Sequence, residues 1–329
     1  MPLLVTGATG FVGSRLAAEA AHRGLEVIGT GRNAQGANVA QLSSAGVRFV
    51  AGDITDPAFA AEVTRGVTQV CHLAAAWREA SAPAEHFERV NVEGTLTLAR
   101  AAAANGVSVF VFCSTIGVHA RVARDPVRED SAYEVTNAYE SSKLRAEQAL
   151  REFARQSPMR ITILRPADAY GPGDMRLLKL FRSVQQGRFP LIGRGQGRRH
   201  MLYIDDLVSA FLAACEAQTP SGEVFIIAGP ETTTLLELLR RLSTLTGSSR
   251  FGWRVPAWLM RALVIAVEDA CRLLGRAAPL HRRTLDFYST DVVFDISKAR
   301  SALHWSPKVD LTEGLTRTLE WYRENKLID

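Results

Sequence analysis

Short apolar runs alternate through the first half of the chain with longer segments whose apolar residues recur every three or four positions. The short runs are typical of buried parallel strands, and the longer segments are typical of amphipathic helices. The predicted strands lie near 2–6, 25–30, 47–51, 68–73, 108–113 and 159–164. This alternation predicts an α/β fold, a doubly wound parallel sheet of the Rossmann type with helices on both faces.

The pattern changes at Pro166, beyond which proline and glycine become more frequent and arginines cluster. We expect a dinucleotide-binding domain over 1–165, which the chain rejoins over 201–228 through a helix and a strand. The remaining segments, 166–200 and 229–329, are predicted to form a smaller, mostly helical substrate-binding lobe.

A glycine-rich turn follows the first predicted strand and precedes a helix near 11–22. Gly7 permits a tight turn, Gly10 lets the backbone approach a pyrophosphate, and Gly13 lets the helix pack closely on the sheet. The spacing is G-x-x-G-x-x-G, and its position between a strand and a helix indicates a dinucleotide site. The loop residues assigned to cofactor binding are Gly7, Thr9, Gly10, Phe11, Val12 and Gly13.

The residues after the second and third predicted strands bear on the choice of cofactor. An acid after the second strand would hold the ribose 2′-hydroxyl of NAD, whereas an arginine accommodates the 2′-phosphate of NADP. The chain has Arg32 there and no acid, which favours NADP(H); NAD(H) is the alternative if Arg32 is only a solvated loop residue. Asp53, after the third strand, is expected either to accept a hydrogen bond from the adenine amino group or to cap the following helix.

Tyr139 and Lys143 are four residues apart, so on a helix they share one face. A neighbouring ammonium lowers the pKa of a phenol, which suits an acid/base for carbonyl–alcohol interconversion, and it can also hold the nicotinamide ribose. Tyr133 is the competing tyrosine, but it has no cation four residues later. Ser114 and Thr115 follow the fifth predicted strand, where parallel sheets bind ligands, and one of them should bind the reacting oxygen.

With these motifs the chain resembles the extended short-chain dehydrogenase/reductase superfamily, of the NAD-dependent epimerase/dehydratase type. The resemblance covers nearly the whole chain. Its motifs, in order, are 6–13 (TGATGFVG), Gly52-Asp53-Ile54, His72-Leu73-Ala74-Ala75, 91–95, Ser114-Thr115, Tyr139 with Lys143, 165–174, 203–207 and 295–300.

The resemblance implies roles for individual residues. It assigns the catalytic hydroxyl to Thr115 with Ser114 beside it, the acid/base to Tyr139, ribose binding and phenol tuning to Lys143, and a supporting polar role to Asn91. The further cofactor-binding positions are Ile54, Leu73, Ala74, Ala75 and Pro166, and the substrate-binding positions are Ala76, Asp168 and Arg199. In the resembling family, helices such as those predicted near 85–104 and 137–156 pair to form a homodimer.

Departures from the family pattern bear on the subfamily. Sugar 4,6-dehydratases carry an acid pair after the catalytic threonine, whereas Ile116 and Gly117 stand here, so dehydration is set aside. Nucleotide-sugar 4-epimerases carry asparagine where this chain has Asp168, whose carboxylate would repel a pyrophosphate, although Arg199 matches an epimerase phosphate-binding arginine. The segment 256–289 is similar in texture to the 3β-hydroxysteroid and sterol-carboxylate dehydrogenase branch.

Composition narrows the class further. A phosphate-bearing cofactor is enough to explain the net charge of +5. The sequence has no basic run with interleaved aromatic residues of the kind that would indicate nucleic-acid binding. The four cysteines fit no metal site, so no metal is expected, and free thiols together with the absence of a signal peptide predict a cytoplasmic protein.

One apolar segment, from Trp258 to Leu274, is interrupted by charges and is too short to span a membrane. We interpret it first as a helix lining a hydrophobic substrate pocket. Packing within the lobe and interfacial contact with a membrane are the alternatives.

The sequence thus predicts an NADP(H)-dependent oxidoreductase that interconverts a secondary alcohol and a ketone on a largely apolar, steroid- or lipid-like small molecule. A nucleotide-sugar 4-epimerase with tightly bound NAD is the alternative. A non-catalytic nucleotide or redox sensor is a third interpretation, against which the presence of both Tyr139 and Lys143 argues.

Overall fold

The computed structural model describes residues 2–77, 82–119, 126–250, 252–273 and 291–328. Seven strands form the main sheet: β1 (Leu3–Thr6), β2 (Val27–Gly31), β3 (Arg48–Ala51), β4 (Gln69–His72), β5 (Val109–Cys113), β6 (Arg160–Pro166) and β11 (Glu223–Ile227). The shorter strands are β7 (Asp168–Tyr170), β8 (Leu191–Ile192), β9 (Arg198–Arg199), β10 (Met201–Tyr203), β12 (Thr233–Thr234) and β13 (Arg254–Val255).

The main sheet is parallel throughout, with strand order β11-β6-β5-β4-β1-β2-β3. The order reverses beside β1, which pairs with β2 on one side and with β4 on the other. Such a switch point leaves a crevice at the carboxyl ends of the strands, where ligands bind in open α/β sheets. The predicted doubly wound sheet is confirmed, and all six predicted strands are present in it.

The helices are α1 (Phe11–His22), α2 (Ala37–Ser44), α3 (Pro57–Val63), α4 (Ala84–Phe87), α5 (Gly94–Ala104), α6 (Ala138–Ala154), α7 (Leu178–Gln185), α8 (Ile204–Glu216), α9 (Leu235–Leu245), α10 (Ala257–Leu273), α11 (Ser297–Ala302) and α12 (Leu311–Glu324). A π-helical turn, Glu88–Glu93, separates α4 from α5. The single helix predicted near 85–104 is therefore divided, and the wider turn carries Asn91 into the interior.

Apolar strands hold the core of the sheet. Leu3, Leu4 and Val5 of β1 are fully buried, as are Phe110 and Phe112 of β5. Burial on both faces of the sheet explains why these strands appear in the sequence as nearly continuous apolar runs.

The chain forms two compact units. The first comprises Met1–Ala169, Leu202–Ala228 and Phe294–Lys308, and the second comprises Tyr170–Met201, Gly229–Val293 and Val309–Asp329. This division differs from the predicted domains at 166–169 and at Phe294–Lys308, which the sequence pattern assigns to the substrate lobe. The latter segment belongs to the first unit because Asp295 N–H donates to Val127 O at 2.9 Å and Trp305 Nε1–H donates to Ser209 Oγ at 2.8 Å.

The second unit contains α10. It also contains α9, which an ion pair and a hydrogen bond connect to the neighbouring segments. Arg241 of α9 bonds Glu231, which also accepts the backbone N–H of Leu311 at the start of α12. Helix α10 is amphipathic only in part, since Val264 is buried while Trp258 is 72% exposed. Among the described residues, no helix combines the length and the apolar character that crossing a bilayer requires.

Candidate active site

The glycine loop after β1 has the backbone conformation that its sequence predicts. Gly7 has φ +68°, and a Cβ there would lie 2.8 Å from the backbone N of Ala74. A Cβ on Gly13 would lie 2.1 Å from the carbonyl oxygen of Gly7. Neither position can accept a side chain, because in each case the obstacle is backbone that cannot swing aside. The loop thus packs against the segment after β4 and against the first turn of α1.

The N-terminus of α1 is open to an anion. Gly10 is its N-cap, no side chain caps the helix and no acid occupies its first turn. Gly10 is exposed, while Thr9, Phe11 and Val12 are partly exposed. Backbone N–H groups and the helix dipole at such an end favour a phosphate. The residues present therefore fit the pyrophosphate of a dinucleotide, which they would hold through backbone donors.

A buried hydrogen-bond chain, missed by the sequence analysis, fixes the segment after β4. The Thr6 hydroxyl accepts N–H from Leu73 at 3.2 Å and from Ala74 at 3.1 Å, and lies 2.7 Å from Nδ1 of His72. His72 Nε2 lies 2.9 Å from Oγ1 of Thr95. Burial is the main cause that lowers the pKa of His72 to about 3, so the imidazole is neutral. The signal available in the sequence was a histidine ending a buried strand.

Asn91 supports the same segment from the other side. Its Oδ1 accepts the N–H of Ala76 at 2.8 Å, and its Nδ2 donates to Ala76 O at 3.1 Å and to Ser142 Oγ at 2.9 Å. Ser142 lies on α6 between Tyr139 and Lys143, and its hydroxyl donates to Tyr139 O. The amide thus links the loop after β4 to the helix that carries the predicted acid/base. Ala76, predicted to contact substrate, has its side chain buried and both backbone groups bonded to Asn91.

Lys143 lies on α6 one turn after Tyr139, as predicted, and is almost fully buried. Its Nζ donates to the carbonyl oxygen of Cys113 at 2.8 Å and lies 4.6 Å from the centroid of the Phe112 ring. Burial lowers the pKa of Lys143 to about 8, against smaller opposing effects of Cys113 and Glu147. The ammonium therefore reaches the end of β5, where the candidate hydroxyls begin.

The phenol of Tyr139 differs from expectation in its acidity. Burial of the hydroxyl raises the pKa of Tyr139 above its usual range, and the charges of Cys113 and Glu140 add to the effect. The predicted lowering by Lys143 is not found: its ammonium donates to Cys113 O, and every cause that shifts the pKa of Tyr139 raises it. Tyr139 is thus a neutral phenol at ordinary pH, suited to donate a proton rather than to accept one.

Ser114 and Thr115 have different surroundings. The buried Ser114 hydroxyl donates to Oε1 of Glu147. Thr115 is partly exposed, and its Oγ1 accepts the N–H of Gly117 at 3.0 Å, which leaves its own proton to donate. The Thr115–Gly117 turn lies against the start of α6, since a Cβ on Gly117 would be 3.0 Å from Cγ of Glu140. The structure therefore brings Thr115 and the Tyr139 turn together, and it commits Ser114 to a buried network.

That network was also missed by the sequence analysis. The side chains of Glu147 and Arg165 are buried and joined by an Nη2–Oε2 contact of 2.6 Å and an Nε–Oε1 contact of 3.0 Å. Arg165 Nη1 lies 2.8 Å from Nε2 of His119, and Nη2 donates to the Tyr133 hydroxyl at 3.1 Å. The signal was a glutamate four residues after Lys143, on the same helix face.

The predicted cofactor selectors lie at the carboxyl ends of β2 and β3. Arg32 is an exposed residue directly after β2. Asp53 Oδ1 accepts both the backbone N–H and the hydroxyl of Thr55 at 2.9 Å, and these bonds, with the charge of Arg32, lower the pKa of Asp53 against the opposing effect of burial. Asp53 does not cap α3: that role belongs to Asp56, which accepts the N–H of Ala58 at 2.9 Å. Ile54 is buried beside them.

The remaining predicted positions are spread over both units. Pro166 ends β6, and the exposed Asp168 begins β7. Arg199 lies in the second unit on β9, where it is buried opposite Thr233 of β12. Among the residues that the structure describes, no group of histidine, cysteine, aspartate and glutamate side chains could hold a metal ion.

Comparison with known proteins identifies the class that this fold and site define. The chain belongs to the NAD-dependent epimerase/dehydratase family, whose model matches residues 3–228, and it is an NAD(P)-dependent enzyme of the extended short-chain dehydrogenase/reductase type. The predicted superfamily is thereby confirmed.

Individual relatives cover nearly the whole chain. It is 30% identical to a 2-alkyl-3-oxoalkanoate reductase of Stenotrophomonas maltophilia, over 96% of this chain and 98% of that one. Among solved structures it is similar to a UDP-glucose 4-epimerase of Thermotoga maritima (TM-score 0.80, 26% identity, 99% and 100% coverage). A dTDP-glucose 4,6-dehydratase of Streptomyces venezuelae with NAD bound is also similar (TM-score 0.78, 28% identity, 99% and 98% coverage).

Proposed function

We propose that the protein is an NADP(H)-dependent reductase that interconverts a ketone and a secondary alcohol on a largely apolar, alkyl-bearing substrate. The observation that carries the proposal is the neutral phenol of Tyr139, a partly exposed residue in the first turn of α6, which packs against the Thr115–Gly117 turn. The similarity to a 2-alkyl-3-oxoalkanoate reductase supports the substrate class. The first substrates to test are therefore 2-alkyl-3-oxoalkanoates, followed by steroid-like ketones.

In the proposed reduction, a bound nicotinamide dinucleotide supplies the hydride to the carbonyl carbon. Tyr139 donates its hydroxyl proton to the carbonyl oxygen, on which negative charge develops. The Thr115 hydroxyl, whose oxygen already accepts from Gly117, donates a second hydrogen bond and orients that oxygen. Lys143 donates to Cys113 O, and the ribose-binding role proposed for it would place a nicotinamide ribose near the end of β5.

Asp168 supports a substrate without a diphosphate. It is exposed at the start of β7, where a carboxylate would repel the pyrophosphate of a nucleotide sugar. The preference for NADP(H) rests on Arg32, the exposed cation after β2, which can pair with a 2′-phosphate.

The acid/base assignment is tested by NADPH oxidation with Tyr139→Phe, and Tyr133→Phe is the matched variant because Tyr133 lies outside α6. Loss of the phenol proton is expected to lower the rate by about 10²–10⁴-fold in Tyr139→Phe. Tyr133→Phe should stay within a few-fold of the wild type. The opposite ranking of the two variants would overturn the assignment of Tyr139.

The cofactor assignment is tested by titrating NADPH and NADH into Arg32→Ala, with Arg65→Ala as the matched variant at an exposed arginine elsewhere on the first unit. Arg32→Ala should weaken NADPH binding and leave NADH binding nearly unchanged. Equal losses for the two cofactors would show that Arg32 does not bind the 2′-phosphate.

A nucleotide-sugar 4-epimerase is the second candidate, favoured by the buried Arg199 and by the similarity to a UDP-glucose 4-epimerase. It would retain its NAD between turnovers. Purified protein that holds NAD without exchange and epimerises UDP-sugars would replace the reductase proposal. A site that exchanges added NADPH and turns over ketones would support the reductase.

A further inference from the structure

Two acid-free segments meet in the second unit. Neither 175–204 nor 238–267 contains an aspartate or a glutamate. Strands β8 and β13 join them in parallel, with Leu191 opposite Arg254, and Leu191 N–H donates to Trp253 O at 2.9 Å. Pairing two such segments concentrates positive charge on one part of the unit, because no carboxylate is available nearby in either sequence.

Five exposed arginines of these segments lie in, or within four residues of, β8, β13 or α10: Arg188, Arg194, Arg250, Arg254 and Arg261. Among the described residues none of their guanidinium groups pairs with a carboxylate. Contacts near Gly187 and Gly193 hold the two segments against each other. A Cβ on Gly187 would lie 3.6 Å from Cγ of Arg250, and one on Gly193 would lie 3.6 Å from Cβ of Ala257.

Large apolar side chains are exposed beside these arginines. Trp253 is 56% exposed next to β13, and on α10 the exposed fraction is 72% for Trp258, 46% for Leu259 and 47% for Leu263. Together with the five arginines, these four residues form what we call the basic–aromatic surface. Exposed apolar groups that are contiguous and flanked by one sign of charge mark an interaction site.

We propose that the basic–aromatic surface binds the face of an anionic lipid bilayer. Tryptophan and leucine can enter the headgroup–acyl boundary, where the amphipathic indole is well accommodated. The arginines then face lipid phosphates and carboxylates at the negatively charged surface. The helix lies in the interface and does not cross it, in accord with its charged residues Arg261, Glu268 and Asp269.

The chemistry disfavours the other partners. In a two-fold pairing of this surface with a second copy, the arginines of both copies would be brought together and would repel one another. Trp253 and Trp258 could stack on nucleic-acid bases, but the exposed Leu259 and Leu263 have no face on which a base can stack, whereas the acyl boundary of a bilayer accommodates all four side chains. The inference is independent of the proposed reductase activity, because it uses none of the residues placed in the active site.

The test measures co-sedimentation of the full chain with vesicles of phosphatidylcholine alone and with vesicles that also contain phosphatidylserine. We expect binding to the anionic vesicles that weakens as salt is raised. The charge variant is Arg254→Glu with Arg261→Glu, and its matched control is Arg65→Glu with Arg155→Glu at exposed positions of the first unit. Each pair lowers the net charge from +5 to +1, since two Arg→Glu changes remove four charges.

Each arginine near an anionic surface contributes about fivefold to the partition coefficient. The Arg254/Arg261 variant is therefore expected to lose more than about 25-fold, and the Arg65/Arg155 control a few-fold at most. Equal losses in both pairs, or equal binding of wild type to neutral and anionic vesicles, would overturn the proposal. The wild-type vesicle comparison stands even if a variant does not fold.

The contribution of the apolar side chains is tested with Trp258→Ser. Its matched control is Met175→Ser, because Met175 is an apolar residue of the same unit that is 52% exposed. Only Trp258→Ser is expected to weaken vesicle binding, by about tenfold or more. Light scattering of the same pair tests the competing partner. A dimer of the wild type that Trp258→Ser alone dissociates would assign the surface to a second copy and overturn the lipid proposal.

Discussion

The buried imidazole of His72 predicts a specific dependence of stability on pH. In the folded protein burial lowers the pKa of His72 to about 3, whereas its ordinary value is 6.5. Below pH 6.5 the imidazole of residue 72 therefore binds a proton in the unfolded chain, whereas in the folded protein it stays neutral until the pH approaches 3. The free energy of unfolding must fall as the pH falls through this window, because the unfolded state takes up more protons.

The magnitude follows from the two pKa values. At pH 5 the loss for this residue is about 2 kcal/mol, and at pH 7 it is only about 0.2 kcal/mol. The difference changes little if the folded pKa is about one unit higher, because at pH 5 the folded imidazole is neutral in either case. The chain of bonds from Thr6 through His72 to Thr95 is consistent with one neutral tautomer, in which Nδ1 accepts and Nε2–H donates.

The assay is urea unfolding of the wild type and of His72→Gln at pH 7 and at pH 5. Comparison with the variant removes the contribution of other groups that titrate between these values, including His119, whose pKa burial also lowers. The wild type should lose about 2 kcal/mol more than the variant between the two pH values. Equal pH dependence in both proteins would refute the neutral, buried state of His72.

Three further results are expected. Gly13→Ala should lower cofactor affinity more than about tenfold, whereas Gly36→Ala, whose added Cβ has no neighbour closer than 3.5 Å, should bind cofactor like the wild type in the same titration. Glu147→Gln should cost about 3–5 kcal/mol in urea unfolding because it leaves the Arg165 guanidinium buried and unpaired, and a Glu147→Leu/Arg165→Met double variant should lose less. Since the pKa of Lys143 is lowered to about 8, its ammonium is lost above that pH, and the cofactor Kd measured by fluorescence should rise between pH 7 and pH 9; a flat profile would exclude a role for the charge.

The elements that depend on local pattern could be predicted from the sequence. The strands of the main sheet are buried on both faces, so each appears as an apolar run between helices. The boundary of β2 was less accurate: it begins at Val27 rather than near residue 25, because Leu25 closes the end of α1 through its N–H bond to Ala20 O. An apolar residue that ends a helix cannot be distinguished by pattern from one that begins a strand.

The parts of the site that depend on distant pairs could not be predicted. Thr6 and His72 are 66 residues apart, and Ser114 and Glu147 are 33 apart. Each residue has an unremarkable neighbourhood in the sequence. The parallel pairing of β1 with β4 places Thr6 beside His72, and the position of α6 next to the end of β5 places Glu147 beside Ser114. The π-helical turn at Glu88–Glu93 is similarly invisible, because its residues continue the helical periodicity of the flanking segments.

The adjacent hydroxyls of Ser114 and Thr115 have different roles because the local backbone directs them to different partners. Successive side chains of an extended strand point to opposite faces of the sheet, and Thr115 retains extended dihedrals, φ −155° and ψ 146°. Ser114 is directed to Glu147 in the middle of α6, whereas Thr115 accepts the N–H of Gly117, in the turn that lies against the start of α6. The buried Glu147–Arg165 pair holds Ser114, and the chain after it, in this register. The same helix that carries Tyr139 thereby determines which of the two hydroxyls remains available for a reacting oxygen.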